Sequence, residues 1–439
     1  MITTAPARRL GTATAALAVI ASMIGTGVFT TTGVLVRELS SAGAVLAAWA
    51  LYGVVALAGA LCYAELSSAL AVNGGEYALL SRIYHPAVGF AAGAVSLVVG
   101  FAAPVAACAL GFGGYVHAVF PQLPVVPLAL ALIVAASVLH GHHMQRGALA
   151  QNVVTALKVL LVVAFALAGG VVVLRDGAPA LAEPARVPFV EAVLSPPFAA
   201  GLVLVSFAYS GWNAAAYIAG ELRDPGRTIP RAIVLGTLVV TLLYVALNAV
   251  FLAAVPATQL SGVVEVGHLA ATALFGPRAG AAVSLLIAAG LVSTVGALIM
   301  TGARASEAMG HDHARLALLA RRTAHGAPIV SVALQAVLAS ALVLAATFDT
   351  LLVWTGLTLT ISAALTVGGV IILRRREPSL ARPYRVPLYP LAPLLFLAFA
   401  AWSLIASVIE QPLIVLASAA TIAIALALYG VVRDGRTAR

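Results

Sequence analysis

Three places in this sequence set polar or conformationally free residues among apolar neighbours, and each has the makings of a chemical site. The first is Ile24-Gly25-Thr26-Gly27-Val28-Phe29, two glycines astride a β-branched residue. The second is Phe207-Ala208-Tyr209-Ser210-Gly211-Trp212-Asn213. The third is Lys158, the one lysine of a chain whose other 23 basic residues are arginine. Inside a helix each glycine costs about 1 kcal/mol relative to alanine, so the first stretch favours an opened backbone. Opened there, the N–H groups of Gly25, Thr26 and Gly27 form a half-helix N-terminus that favours a carboxylate. Carbonyls of Met23, Phe207 and Ala208 are then free to accept hydrogen bonds from an ammonium. Separate places for an anion and a cation suit a zwitterion and point to an α-amino acid as ligand class. Lys158 brings another property. Unlike a guanidinium, a buried ammonium can lose its proton near neutral pH.

What must position these residues is a set of membrane-crossing helices. The 439 residues are 62% hydrophobic and 9% charged, with mean hydropathy +1.08. A soluble domain carries roughly 25% charged and 45–50% apolar residues. The composition excludes an ordinary cytosolic enzyme, a disordered regulator and a disulfide-stapled secreted domain. A crossing helix needs about 20 apolar residues. Runs of that kind occupy residues 10–36, 39–64, 83–145, 147–174, 192–220, 232–264, 279–303, 323–348, 350–373, 386–409 and 411–432. Pro121-Gln122-Leu123-Pro124 divides the third run in two. The expectation is an all-α polytopic membrane protein with twelve transmembrane helices. Arg8-Arg9 ahead of an apolar run has the form of a signal peptide, but the eleven spans that follow favour a first span. With a cytoplasmic N-terminus, nineteen arginines fall on that side and four, Arg37, Arg175, Arg186 and Arg278, on the other. That bias predicts two cytoplasmic termini in a cell inner membrane. It also accounts for the net charge of +9 with no nucleic-acid partner.

The two glycine-bearing stretches lie at the middles of the first and sixth spans. Close packing through small residues is one reading of either stretch alone. A pair of interrupted helices at matching places in two halves points to an inverted-repeat transporter. Residues 1–174 (helices 1–5) and 175–376 (helices 6–10) would be the repeats, leaving 377–439 for helices 11 and 12 and a cytoplasmic C-terminus. Backbone opened at mid-membrane must face protein, water or ligand, because lipid offers it no hydrogen bond. A mid-membrane lysine costs on the order of 2.5–3.5 kcal/mol, so Lys158 should face a partner or a cavity. Snorkelling is disfavoured by roughly ten apolar residues on either side of it.

Taken together these residues resemble the amino acid–polyamine–organocation permeases. Gly25-Thr26-Gly27-Val28-Phe29 resembles their GSGIF motif. The stretch from Phe207 to Asn213, continued by Gly220-Glu221-Leu222-Arg223-Asp224-Pro225 and Thr228-Ile229-Pro230-Arg231-Ala232-Ile233, is similar to the signature around their sixth and seventh helices. Asn73-Gly74-Gly75-Glu76-Tyr77 and Arg382-Pro383-Tyr384-Arg385-Val386-Pro387 also fit. The similarity is greatest to the L-type amino acid transporter branch and its bacterial exchangers. It implies a five-plus-five inverted-repeat fold with the first and sixth helices unwound, and alternating access around a mid-membrane site. Substrate would be held by Met23, Gly25, Thr26, Gly27, Phe207, Ala208, Ser210, Gly211 and Asn213, with Phe207 closing over it as a gate. Lys158 would take the place of the sodium ion used by related transporters, with Ser293 and Thr294 as hydroxyl partners. The implied activity is sodium-independent secondary-active transport of neutral α-amino acids, by exchange or proton symport. The uncharged Asn213 counts against the alternative, a cationic amino acid or polyamine antiporter.

Other candidates carry less. His140-Gly141-His142-His143 and His311-Asp312-His313 read as solvated loops, so no metal and no cofactor is expected. Cys62 and Cys108 fall in apolar runs without metal-ligand spacing. Glu65 and Glu221 read as interfacial acids pairing with Arg82, Arg223 or Arg227, or as parts of a cytoplasmic gate. Asp349 and Glu410 read as hydrated outer-boundary residues, and Pro104 as a kink. No nucleophile–base pair or phosphate loop supports an embedded enzyme, and a channel remains a rival class distinguishable by its currents. Oligomeric state is left open.

Overall fold

The structure, a computed structural model, describes residues 11–70, 74–142, 146–177, 187–217, 219, 222–323 and 326–433; the side chains of 142–155 and 217 lie outside the description. No β-strand occurs among the described residues. The first span is two helices, α1 (Thr12–Met23) and α2 (Gly27–Leu39), bent 42° apart. α3 (Ala42–Leu70) follows, then the short α4 (Gly75–Ile83). The span Pro86–His117 runs as α5 (Pro86–Val95), a π-helical stretch Ser96–Ala102 and α6 (Ala103–His117). α7 (Val125–His142) and α8 (Arg146–Asp176) come next. After α9 (Phe189–Leu194) stand α10 (Pro196–Ala208), the one-turn α11 (Ala214–Tyr217) and α12 (Pro225–Ala254). Two short helices, α13 (Ala257–Leu260) and α14 (Val266–Phe275), precede α15 (Pro277–Asp312). The chain ends with α16 (Ile329–Ala345), α17 (Phe348–Arg376), α18 (Leu391–Glu410) and α19 (Pro412–Val432).

Local chemistry sets several of these boundaries. α5 starts with Pro86 in its first turn, where a missing N–H costs nothing, and His85 Nδ1 accepts from the Ala87 N–H. α10 starts on Pro196 behind Ser195, whose hydroxyl accepts from the Phe198 N–H. Pro104 cannot donate, and its ring would clash with the carbonyl four residues back. The π-helical stretch immediately before α6 takes up that misfit.

Eight of the described helices are long and apolar enough to cross a bilayer, nine with α1 and α2 counted as one span. α7, α10, α14 and α16 are apolar but shorter. The chain is thus a multi-pass membrane protein, with boundaries that differ from the hydropathy runs. α15 continues to Asp312, nine residues past the run expected to end at 303, and α16 starts at Ile329 rather than 323. The most apolar window is 72% buried in Pro86–His117 and 61% in both α3 and α17, against 28% in the 156–176 part of α8 and 17% in α19. The first three build the centre of the bundle, while α19 and the 156–176 part of α8 lie at its outside.

Candidate functional site

The gap between α1 and α2 meets the turns that follow α10. α1 stops at Met23, with the Ile24 N–H closing the last turn on Ile20 O at 3.0 Å. The N–H groups of Gly25 and Thr26 make no backbone hydrogen bond among the described residues. On the other chain segment α10 stops at Ala208, and residues 209–213 form turns closed by Ser210 N–H to Phe207 O and Ala214 N–H to Gly211 O, both 3.0 Å. The breaks interlock through glycine. A Cβ on Gly27 would stand 2.5 Å from the Cα of Ala208, and one on Gly211 would stand 2.8 Å from the carbonyl carbon of Ser22. Gly211 also has φ +100°, a conformation that side chains disfavour. Tyr244, on α12, then bridges the two helix ends: its hydroxyl donates toward Met23 O at 2.6 Å and Ala208 O at 3.1 Å. One fully buried hydroxyl therefore serves two of the carbonyls that the breaks release.

A cavity of about 470 Å³ opens beside the breaks. Met23, Gly25, Thr26, Gly27, Phe207, Ala208, Ser210, Gly211 and Asn213, the nine positions expected from sequence, all line it. Lys158 lines it too and is 7% exposed. Its ammonium donates to Ala21 O at 3.5 Å and to Thr294 Oγ1 at 3.3 Å, and Thr294 passes its own proton to Gly290 O at 3.1 Å. Lys158 thus ties α8 to the end of α1 and to α15. The lysine stem passes Gly290 closely enough that a Cβ there would lie in van der Waals contact with it at 3.4 Å. Thr294 is on the cavity wall; Ser293 is not. Cys108 Sγ faces Thr26 Oγ1 across 3.8 Å. Gly100, Phe101 and Pro104 bring the π-helical stretch and the start of α6 to the wall, so the proline read as a kink also borders the cavity.

Two residues that build the site, Tyr244 behind the breaks and Glu76 on the wall, escaped the sequence reading. Tyr244 sits in an apolar span where an aromatic is unremarkable. Glu76 lies in α4, between the expected spans, yet it is 5% exposed and lines the cavity. Its Oε1 accepts from Tyr63 Oη at 2.5 Å and Asn213 Nδ2 at 3.3 Å, and its Oε2 from Ser362 Oγ at 2.6 Å. The only advance signal was its place in the Gly74-Gly75-Glu76 motif.

The peripheral assignments change as well. Glu65 pairs with neither Arg82 nor Arg227: Arg374 donates to both its oxygens, Arg382 approaches to 3.5 Å, and the Val386 N–H donates at 2.7 Å. Burial, with Cys62 and Glu65 nearby, pushes the Tyr384 phenol up to about 12 in the same cluster. Arg82 pairs instead with Glu377, and Arg227 with Asp224. Asp349 is not simply hydrated, since Arg37 donates to it at 2.8 Å. His140 is in α7 and 5% exposed rather than in a solvated loop. Asp312 accepts from Tyr77 Oη at 2.6 Å, and the His313 ring packs on Phe90 and Tyr429. Glu221, with the side chains of His142 and His143, lies outside the described residues. No cluster of metal-binding side chains occurs among the described residues.

Residues 10–432 match the amino acid permease family. The chain is 28% identical to human b(0,+)-type amino acid transporter 1, over 93% of its own length and 84% of the relative's. It is 29% identical to rat large neutral amino acids transporter small subunit 2, over 93% of its length and 77% of the relative's. It is also 26% identical to the serine/threonine exchanger SteT of Bacillus subtilis (strain 168), over 89% of each chain. With its motifs and a family match along nearly its whole length, this chain belongs to the amino acid permease family and is a transporter rather than an enzyme.

Proposed function

We propose that this permease carries neutral α-amino acids across the cytoplasmic membrane by alternating access, without sodium, as an exchanger or a proton symporter. One observation carries the reading. Two backbone breaks, held face to face, border one cavity together with the chain's single lysine. The N–H groups at Gly25, Thr26 and Gly27 take the substrate carboxylate, and the carbonyls of Met23, Phe207 and Ala208 take its ammonium. Tyr244 shares its one proton between Met23 O and Ala208 O, so both carbonyls keep acceptor capacity for the ligand. Ser210, Gly211 and Asn213 border the side chain, and Phe207 closes over the occupied site. Lys158 with Thr294 stands where a sodium ion would otherwise hold the first break to α8 and α15.

The same reading counts twelve spans: the eight long helices, the bent α1–α2 pair, α7, α10 with α11, and α16. Ten of them form two five-helix repeats of opposite orientation, and both termini are cytoplasmic. The relative named as a serine/threonine exchanger favours exchange over symport and small substrates over large. Counterflow of labelled alanine and serine into proteoliposomes tests the whole reading. Saturable uptake against a preloaded amino acid, unchanged when sodium is replaced by choline, is expected. A protein that exchanges no amino acid under either condition overturns it, and a dependence on the proton gradient would select symport.

A further inference from the structure

Glu76 and Asn213 form a pair whose chemistry fixes what the cavity shows a substrate side chain. Asn213 has one donor end and one acceptor end, and which faces outward depends on its neighbour. Here the neighbour is Oε1 of Glu76, 3.3 Å from Nδ2. Oε1 is an acceptor whether the carboxyl is charged or holds a proton on Oε2 toward Ser362, 2.6 Å away. Turning the amide over would set two acceptors against each other. The NH2 is therefore locked onto Glu76, and Oδ1, which has no hydrogen-bond partner among the described residues, is left for the cavity that Asn213 lines. Tyr63 and Ser362 hold Glu76 from α3 and α17, so the lock is anchored outside the sixth-span break.

From this arrangement we infer that Glu76 is a positioning residue that makes Asn213 an acceptor toward the substrate, so the permease prefers small α-amino acids whose side chain donates a hydrogen bond. The inference rests on the amino acid site proposed above and adds to it a rule for the side chain. Serine and threonine satisfy Oδ1; their near-isosteres 2-aminobutyrate and valine leave it unpaired.

The test is competition in counterflow of labelled alanine by the purified full-length protein. Serine should compete roughly 3- to 10-fold better than 2-aminobutyrate, and threonine better than valine by a similar factor, as one neutral hydrogen bond allows. Glu76→Ala lets the amide turn its NH2 outward. Serine, whose hydroxyl can also accept, keeps its advantage over 2-aminobutyrate, but the preference for serine over the acceptor-only O-methylserine, several-fold in the wild type, should fall toward one. Glu76→Asp, which restores a carboxylate, should recover part of the preference, a pattern that mere loss of packing does not produce. Wild-type ratios near one overturn the inference whether or not any variant folds. So does O-methylserine that competes no better against serine in Glu76→Ala than in the wild type. Absence of all counterflow by the wild type would instead remove the amino acid site itself.

Discussion

Lys158 and Tyr244 both bind carbonyls that a continuous helix would have kept to itself, but they came to notice by different routes. Lys158 was legible because a lone lysine in an arginine-only chain, deep in an apolar run, stands out from composition. Its ammonium spans Ala21 O and Thr294 Oγ1. Lys158→Ala deletes the bridge, and Lys158→Arg asks a planar fork to fit where a compact ammonium fits. Both should lower counterflow at least about tenfold with the protein still extracted as a monodisperse peak. Wild-type rates in both would remove the lysine from the mechanism. Tyr244 was not legible, because nothing in an apolar helix marks one tyrosine as the donor to two distant chain breaks. Tyr244→Phe keeps the ring packing against Trp49 and Tyr209 but strips the proton from Met23 O and Ala208 O. Leaving a buried carbonyl unsatisfied costs about 1–3 kcal/mol. The expected outcome is a lower apparent melting temperature together with slower counterflow, and a variant indistinguishable from wild type in both would contradict the bridge.

At the scale of elements, hydropathy located the apolar runs, because a crossing helix needs little more than length and absence of charge. It did not find α4, α9 or α13, which are too short to leave a periodic signature, and α4 carries Glu76 into the cavity wall. Nor did it mark where α15 ends, since helices continue past the apolar run into water. The breaks were legible as glycine-bearing stretches, but their mutual contact was not, because sequence says nothing of what a missing Cβ avoids. That contact yields a prediction. Gly211→Ala places a methyl 2.8 Å from the Ser22 backbone at φ +100°, and Gly27→Ala places one 2.5 Å from Ala208. Each should abolish counterflow or sharply lower the yield of folded protein. Gly430→Ala, in α19 where nothing lies within 4 Å, should leave both unchanged and raise stability slightly through helix propensity. If all three variants behave alike, the interlock of the two breaks is not what those glycines serve.

Across the whole molecule the charged residues are bound very differently at the two ends of the bundle. Beside α4, Glu65 is 2% exposed and gathers Arg374 through both oxygens, Arg382 at 3.5 Å and the Val386 N–H, joining α3 to the end of α17 and the segment leading into α18. At the opposite end Arg37 meets Asp349 and Glu38, but the Arg37 side chain is 46% exposed and Asp349 35%. Exposed pairs contribute about 0–1 kcal/mol, because water screens the charges and the side chains lose entropy in meeting. A buried pair contributes little against an apolar replacement, yet removing one partner leaves the other charge stranded at about 3–5 kcal/mol. Glu65→Ala takes from Arg374 the carboxylate that pairs two of its nitrogens, while Arg382 keeps its bonds to the Leu373, Glu377 and Leu380 carbonyls, and should lower the melting temperature of the purified protein more than Asp349→Ala does. High salt should narrow the effect of Asp349→Ala and leave that of Glu65→Ala nearly intact, since screening reaches only the exposed pair. Equal losses in the two variants would mean that the Glu65 cluster opens to water often enough to behave as a surface. In that case it acts as a gate on the α4 side of the cavity, and counterflow in Glu65→Ala should become faster or leaky rather than merely less stable.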